Sequence, residues 1–187
     1  MGRLLPFIMC LLAAPVVRAT VLVPAEFREI VAGSHLIAHA RVVDVRPQWV
    51  EGRRQIETIV TVEILSYYKG GSERTVSFKV PGGQIGRYRS VMVGAPQFSP
   101  GEEAVLFLDG AGEPIPHVFG LNQGVFRVRQ DPTTGRRIVV PPPLMASGTD
   151  RGPERVVRGA SKRRSLELDA FGAQVRTVMT AQAGADR

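Results

Sequence analysis

Residues 55–66 read Gln55-Ile-Glu-Thr-Ile-Val-Thr-Val-Glu-Ile-Leu-Ser66. Ile56, Thr58, Val60, Val62 and Ile64 fall on one side of a two-residue repeat, with Glu57, Thr61 and Glu63 on the other. Side chains alternate across an extended chain, so this pattern predicts a strand with one buried and one solvated face. Upstream, residues 36–46 (LIAHARVVDVR) form a first strand, and Trp49-Val-Glu-Gly-Arg53 suits a hairpin between the two. Downstream, Tyr67-Tyr-Lys-Gly-Gly-Ser72 reads as a turn, and residues 74–80 set Val76, Phe78 and Val80 against Thr75, Ser77 and Lys79.

The same period continues to residue 141. Pro81-Gly-Gly-Gln-Ile-Gly86 is a glycine-rich loop, residues 87–93 a weaker strand, and Pro96 to Gly101 another loop. Ala104-Val-Leu-Phe-Leu108 is apolar on both faces, as a central strand covered on two sides would be. Short strands follow at 117–121, 124–129 and 136–141. Seven or eight short strands with frequent turns predict a small barrel or sandwich. Helical spacing appears at the two flanks only. Pro24 to Gly33 places Phe27, Ile30 and Val31 on one face, with Pro24 suited to the first helical position. A C-terminal amphipathic helix is expected within 165–182, with Ser165 as N-cap and Leu168, Phe171, Val175 and Val178 as its apolar stripe. Such a stripe most often docks on its own domain; Phe171, Val175 and Val178 are also the candidate partner surface.

The N-terminus carries a different signal. Met-Gly-Arg is followed by an apolar stretch from Leu4 to Val17, broken by Pro6 and Pro15, and then by Arg18-Ala19. A charged start, a short apolar run and a small residue at the cut describe a secretory leader, cleaved after Ala19. The run is too short and too proline-broken for a membrane-spanning helix. Lipid attachment at Cys10 fits poorly, because Ile8 and Met9 precede it where small residues are needed. The expected organisation is a leader at 1–19, a β-barrel domain at 20–145, a basic Pro/Gly-rich linker at 146–164 and the terminal helix. Localisation is secreted or periplasmic. Cys10 is the sole cysteine, so the processed chain relies on its core, with no disulfide to help it.

The charge of +7 divides along the same boundaries. Residues 1–19 contribute +2, residues 20–150 carry 14 basic and 13 acidic side chains, and residues 151–187 carry eight basic and four acidic. The barrel is thus nearly neutral, and no nucleic-acid partner is expected. Lys162-Arg163-Arg164, with Arg151, Arg155 and Arg158, has no interleaved aromatics and reads as solvated linker.

Few residues ask for chemistry. His35 and His39 would share a metal on a helix, but on a strand they stand roughly 13 Å apart, so surface histidines are expected, and neither metal nor cofactor. Gly82-Gly83 lacks the Lys-Ser/Thr ending of a phosphate loop. Glu102 and Glu103 are adjacent and should point to opposite faces. No thiol or GxSxG motif follows the leader, so nothing calls for an enzyme. Gln84, Tyr88, Asn122 and Gln123 are the candidate cleft residues, on the loops 81–101 and 120–124.

The order of features resembles the netrin-like (tissue-inhibitor-of-metalloproteinase) barrel. The likeness rests on a helix with Phe27, then HLIAHARVVDV, IETIVTVEILSYYKG, a strand, a glycine-rich loop and Phe98-Ser-Pro-Gly-Glu-Glu-Ala-Val-Leu-Phe-Leu108. It covers about 27–108. The chain is also similar to exported bacterial proteins with a GEE-x-V-L-F-L … G-L-x-Q-G-x-F-x-V arrangement. The resemblance implies a five-stranded OB-like barrel with flanking helices and a secreted binding or inhibitory role. The family's inhibitors use an N-terminal cysteine, where cleavage here exposes Thr20, so that route to protease inhibition is not expected. The expected function is non-catalytic binding of an envelope or secreted protein. The alternative is an enzyme or carbohydrate-binding domain using the 81–101/120–124 cleft.

Overall fold

The computed structural model describes residues 24–50, 52, 54–143 and 164–185. The expected leader and nearly all of the expected linker lie outside them. The chain is mostly β, with a closed five-stranded barrel and two helices. β1 (Leu36–Val50) pairs antiparallel with β2 (Gln55–Lys69), and β2 with β3 (Thr75–Pro81). After a small hairpin of β4 (Gly83–Ile85) and β5 (Tyr88–Ser90), β6 (Glu103–Asp109) returns beside β1. β7 (His117–Val118) closes the ring, parallel to β3 and antiparallel to β6. Numbered along the chain, the five ring strands stand in the order 1-2-3-5-4 and back to 1. That connectivity is compatible with an OB-like barrel. β8 (Val125–Gln130), β9 (Arg137–Val140) and β10 (Leu166–Glu167) extend the sheet from β6.

The alternation predicted for residues 55–66 builds the barrel interior. Val60 and Val62 meet Val76, Phe78 and Val80 of β3 and Ala38, Ala40 and Val42 of β1. Val42 pairs with Val62 while Asp44 already faces Thr61, so Val43 is an extra residue, exposed at a bulge. The bulge resets the phase, letting Val45 point inward as Val42 does. Both strands run further than expected. Trp49 and Val50 belong to β1, and Tyr67 to Lys69 continue β2 opposite Ala38 and Ile37. A second irregularity around Leu65 hides that continuity, because residues on either side of it no longer share one alternation.

β6 is buried on both faces, as expected. Ala104, Leu106 and Leu108 face the interior, and Val105 and Phe107 face outward beneath the helices. α1 (Phe27–Gly33) and α2 (Leu168–Ala185) cover that outer face. Phe27, Phe107, Phe126 and Phe171 form a cluster with ring centroids 5.1–6.3 Å apart, mostly edge to face. Phe171 and Val175 are buried there and Val178 packs against them. The C-terminal stripe is therefore spent within the fold, which removes Phe171, Val175 and Val178 as a partner surface.

Two helix starts differ from expectation. α1 begins at Phe27, with Pro24 before it, because the Ala25 N–H is held by Gln123 Oε1 at 2.6 Å and Glu29 caps the Glu26 N–H at 2.7 Å. α2 begins at Leu168, because Leu166 and Glu167 pair with Val139 and Ile138; Ser165 precedes a strand and caps no helix.

Residues 67–70, expected to be a turn, lock α1 to the barrel. The Lys69 ammonium donates to the Val31 and Ala32 carbonyls at the end of α1, at 2.8 and 3.3 Å. Gly70 follows at φ +59, where an added Cβ would lie 2.3 Å from the His35 carbonyl oxygen. Only glycine fits that approach.

Candidate functional site

Between β3 and β6 the chain leaves the barrel from Gly82 to Glu102 and folds over its open end. β3 runs into the excursion at Gly82 and Gly83. At Gly83 (φ +145) a side chain would strike Thr58 Oγ1 at 2.6 Å, and the Thr58 hydroxyl donates to the Gly82 carbonyl at 2.7 Å. The β4–β5 hairpin is thereby pressed onto the far half of β1 and β2. Beneath it lies a cavity of about 410 Å³, lined by Val45, Val60, Val80, Gln84, Met92 and Phe98 among others. Phe98 meets Phe78 edge to face at 5.3 Å and ends the cavity on the barrel core.

On the outer side of the hairpin a cleft of about 610 Å³ is bounded by Trp49, Arg54, Arg87, Tyr88 and Arg89. Both volumes are in the range of ligand sites. Trp49 meets Tyr88 edge to face at 5.5 Å. The Arg87 guanidinium sits 5.2 Å from the Tyr88 ring centre and donates to its hydroxyl at 3.1 Å. Next along the chain, Val91, Met92 and Val93 are 69%, 51% and 75% exposed. Three adjacent side chains of this kind on a surface loop form an apolar patch that the core does not use. Leu121, the one described non-glycine residue with positive φ (61°), lines a neighbouring hollow with Val91 and Met92. Backbone strain at a branched residue persists only where its surroundings hold it.

Of the four expected cleft residues, the structure brings Gln84 and Tyr88 to this end of the barrel. Asn122 and Gln123 lie in the turn before β8. The Asn122 carbonyl accepts the Val125 N–H in the turn before β8, and Gln123 is buried, fastening the segment before α1. Trp49, Arg54, Arg87, Arg89 and residues 91–93 were not singled out by sequence reasoning. Their apolar triplet passes for a strand. The signal in hindsight is its setting, with Arg87, Arg89 and Ser90 on one side and Gly94-Ala-Pro96 on the other.

A second polar cluster lies on the outer barrel face. His39, expected at the surface, is 3% exposed, with Glu103 of β6 and Arg137 of β9 grouped around it. Its Nε2 is 3.1 Å from Glu103 Oε2. Arg41, directly opposite Glu103 in the β1–β6 pair, donates to Oε1 from Nη2 at 2.7 Å and from Nε at 3.2 Å. Arg137 Nη1 stands 3.6 Å from Oε2. Burial lowers the His39 pKa below its usual value, against the opposing pull of Glu103. For Glu103, burial pushes upward, but hydrogen bonds from Arg41 and His39 prevail and hold it below the usual carboxylate range. The adjacent Glu102 pairs instead with Arg127, so the two carboxylates do not share a site. With its carboxylate shared among three cations or potential cations, this cluster neutralises charge on the outer face of the barrel. Among the described residues, no group of three or more His, Cys, Asp or Glu side chains could hold a metal ion.

Comparison with known proteins finds no matching family model, curated protein or solved structure.

Proposed function

We propose that this chain is an exported, non-catalytic binding domain that grips a protein partner at the open end of an OB-like barrel. The observation that carries this reading is the exposed run Val91-Met92-Val93 beside two cavities, on a surface the core does not need. Buried apolar contact supplies most of the drive for protein association, at roughly 25 cal/mol per Å² removed from water. The strand order supports the OB-like assignment, and with it the netrin-like resemblance and a binding role. Residues 1–19 have the layout of a secretory leader, so the domain acts in the periplasm or outside the cell. The leader also takes away the sole cysteine, leaving the barrel to stand on its core in an oxidising compartment.

A carbohydrate ligand is the second reading, favoured by the Trp49–Tyr88 pair in the outer cleft. It places the contact on Trp49 and Tyr88 and makes residues 91–93 dispensable.

The deciding experiment places a photo-crosslinking amino acid at Met92 and, as a control, at Gln174 on the exposed face of α2. Envelope and secreted fractions are then irradiated with each protein. Docking at the barrel end gives a discrete crosslinked product from Met92 that vanishes in the Val91→Ser/Val93→Ser background. The same products from Gln174, or none from Met92, would overturn the reading. Export is checked by fusing residues 1–40 to a reporter active only outside the cytoplasm.

A further inference from the structure

About half of the described arginines pair with a carboxylate, and those around the hairpin belong to the other half. Arg41, Arg46, Arg74, Arg127, Arg136 and Arg137 each pair with a carboxylate. Arg54, Arg87 and Arg89, which bound the outer cleft, have no such partner among the described residues, and the described lining of that cleft carries no acidic side chain. Arg89 also borders the inner cavity. An unpaired guanidinium presents a planar fork of donors suited to carboxylates. All three line one cleft, and Arg89 also borders the cavity that Val91 and Met92 line, so on a barrel whose total charge is close to neutral they make a one-signed field next to a hydrophobic anchor point.

From this we infer that the partner segment held at the barrel end is acidic, with an apolar side chain set between carboxylates. The carboxylates meet Arg54, Arg87 and Arg89, and the apolar side chain packs on Val91, Met92 and Val93 at the cavity mouth. The inference rests on the docking reading above and adds the partner's chemistry. A nucleic-acid strand fits less well. Stacking platforms offer open aromatic faces to successive bases, whereas Trp49 and Tyr88 meet edge to face and Arg87 already covers the Tyr88 ring. An acidic glycan would satisfy the arginines and leave the Val91–Val93 run in water.

Trp49 is the only tryptophan in the chain and lies in the cleft, so its emission reports binding without a label. The purified protein is titrated with the peptide Asp-Glu-Leu-Phe-Asp-Glu, with Asp-Glu-Gly-Ser-Asp-Glu, with Lys-Lys-Leu-Phe-Lys-Lys and with oligodeoxythymidylate. The first probe is expected to shift Trp49 emission saturably, to weaken as salt is raised, and to bind about tenfold more tightly than the others. The Arg87→Gln/Arg89→Gln variant should bind it about tenfold more weakly, the sum of two exposed charge contacts, while its melting temperature stays that of the parent. No shift with the first probe, equal binding by the variant, or equal binding of oligodeoxythymidylate would overturn the inference. The Met92 crosslink separates the two levels. A product undiminished in the arginine variant sinks the acidic partner and leaves the docking surface standing. No product from the parent sinks both.

Discussion

Phe171→Ala tests how the terminal helix is held. Phe171 is 4% exposed, and its ring centroid lies 5.7 Å from Phe27, 6.3 Å from Phe107 and 5.1 Å from Phe126. Truncating a buried phenylalanine costs about 3–5 kcal/mol through lost transfer energy and the cavity left behind. Aromatic pairs add roughly 0.5–1.5 kcal/mol beyond buried area, and with three ring partners Phe171 should not fall below the middle of the roughly 3–5 kcal/mol range. The expected loss is about 4 kcal/mol, a large share of the roughly 5–15 kcal/mol of a typical domain. Urea unfolding gives the value, followed in parallel by Trp49 emission at the open end of the barrel and by far-ultraviolet circular dichroism. If α2 is part of one cooperative unit, the two transitions coincide and move together. Gln174→Ala, on the exposed face of the same helix, should stay within about 0.5 kcal/mol of the parent. In a double-mutant cycle, Phe27→Ala and Phe171→Ala should couple by about 1 kcal/mol, since the rings touch. A loss below about 1 kcal/mol, with only the helical signal changing, would refute the docked helix. It would also return Phe171, Val175 and Val178 to the list of free binding residues.

Other outcomes follow from single contacts. Gly70→Ala should cost about 2 kcal/mol or more in urea unfolding, because the new Cβ meets the His35 carbonyl at positive φ. Lys69→Met should cost about 1–2 kcal/mol by freeing two helix-end carbonyls. Stability should be highest above the ordinary histidine value of 6.5 and decline as pH falls below it toward the depressed pKa of folded His39, because the unfolded chain takes up that proton first. A further decline begins near the ordinary value of 4.5 for Glu103, whose folded pKa is also lowered. Urea midpoints at about pH 8 and about pH 5 measure the first limb, and His39→Gln should flatten it. The Val91→Ser/Met92→Ser/Val93→Ser variant should melt within the error of the parent, and a clear loss of stability would mean that the run belongs to the core after all.

Alternation made the barrel interior legible. Val60 and Val62, and Val76, Phe78 and Val80, repeat with period two because one face of their strands is buried and the other wet. Ala104 to Leu108 declared two-sided burial in the same way, by lacking any alternation. Information failed where burial depends on distant chain. Val43 and the irregularity near Leu65 shift the phase of β1 and β2, so Trp49-Val50 and Tyr67-Tyr-Lys69 look like separate turn segments while pairing in one long hairpin. Leu166 and Glu167 are strand only because β9 is there to receive them. His39 is buried with Glu103 of β6 and Arg137 of β9 grouped around it. At the site, polarity misled. By sequence Gln123 reads as a cleft residue, yet its amide oxygen is committed to the Ala25 N–H. The Val91-Met92-Val93 run reads as a strand because an apolar run too short to show a period is the same in a core strand and on an exposed loop.

The placement of those three residues has a physical explanation tied to the whole fold. On the outer face of β6, α1 and α2 pack with Tyr68, Phe119 and Val128 over Phe107, Phe126 and Val139. Inside the barrel, Phe98 and Ala95 from the excursion already pack against the core, so the excursion is anchored without residues 91–93. A connection from β3 to β6 needs only to cross one end of the barrel, and most connections in compact domains are about 4–6 residues long. This one carries its own hairpin, leans it on the projecting half of β1 and β2, and turns Val91, Met92 and Val93 into water next to unpaired arginines. Exposing them adds nothing to folding and costs solubility. A contiguous apolar surface of that kind is compatible with a stable protein when something covers it in use, and the proposed acidic segment matches in sign the arginines of the neighbouring cleft.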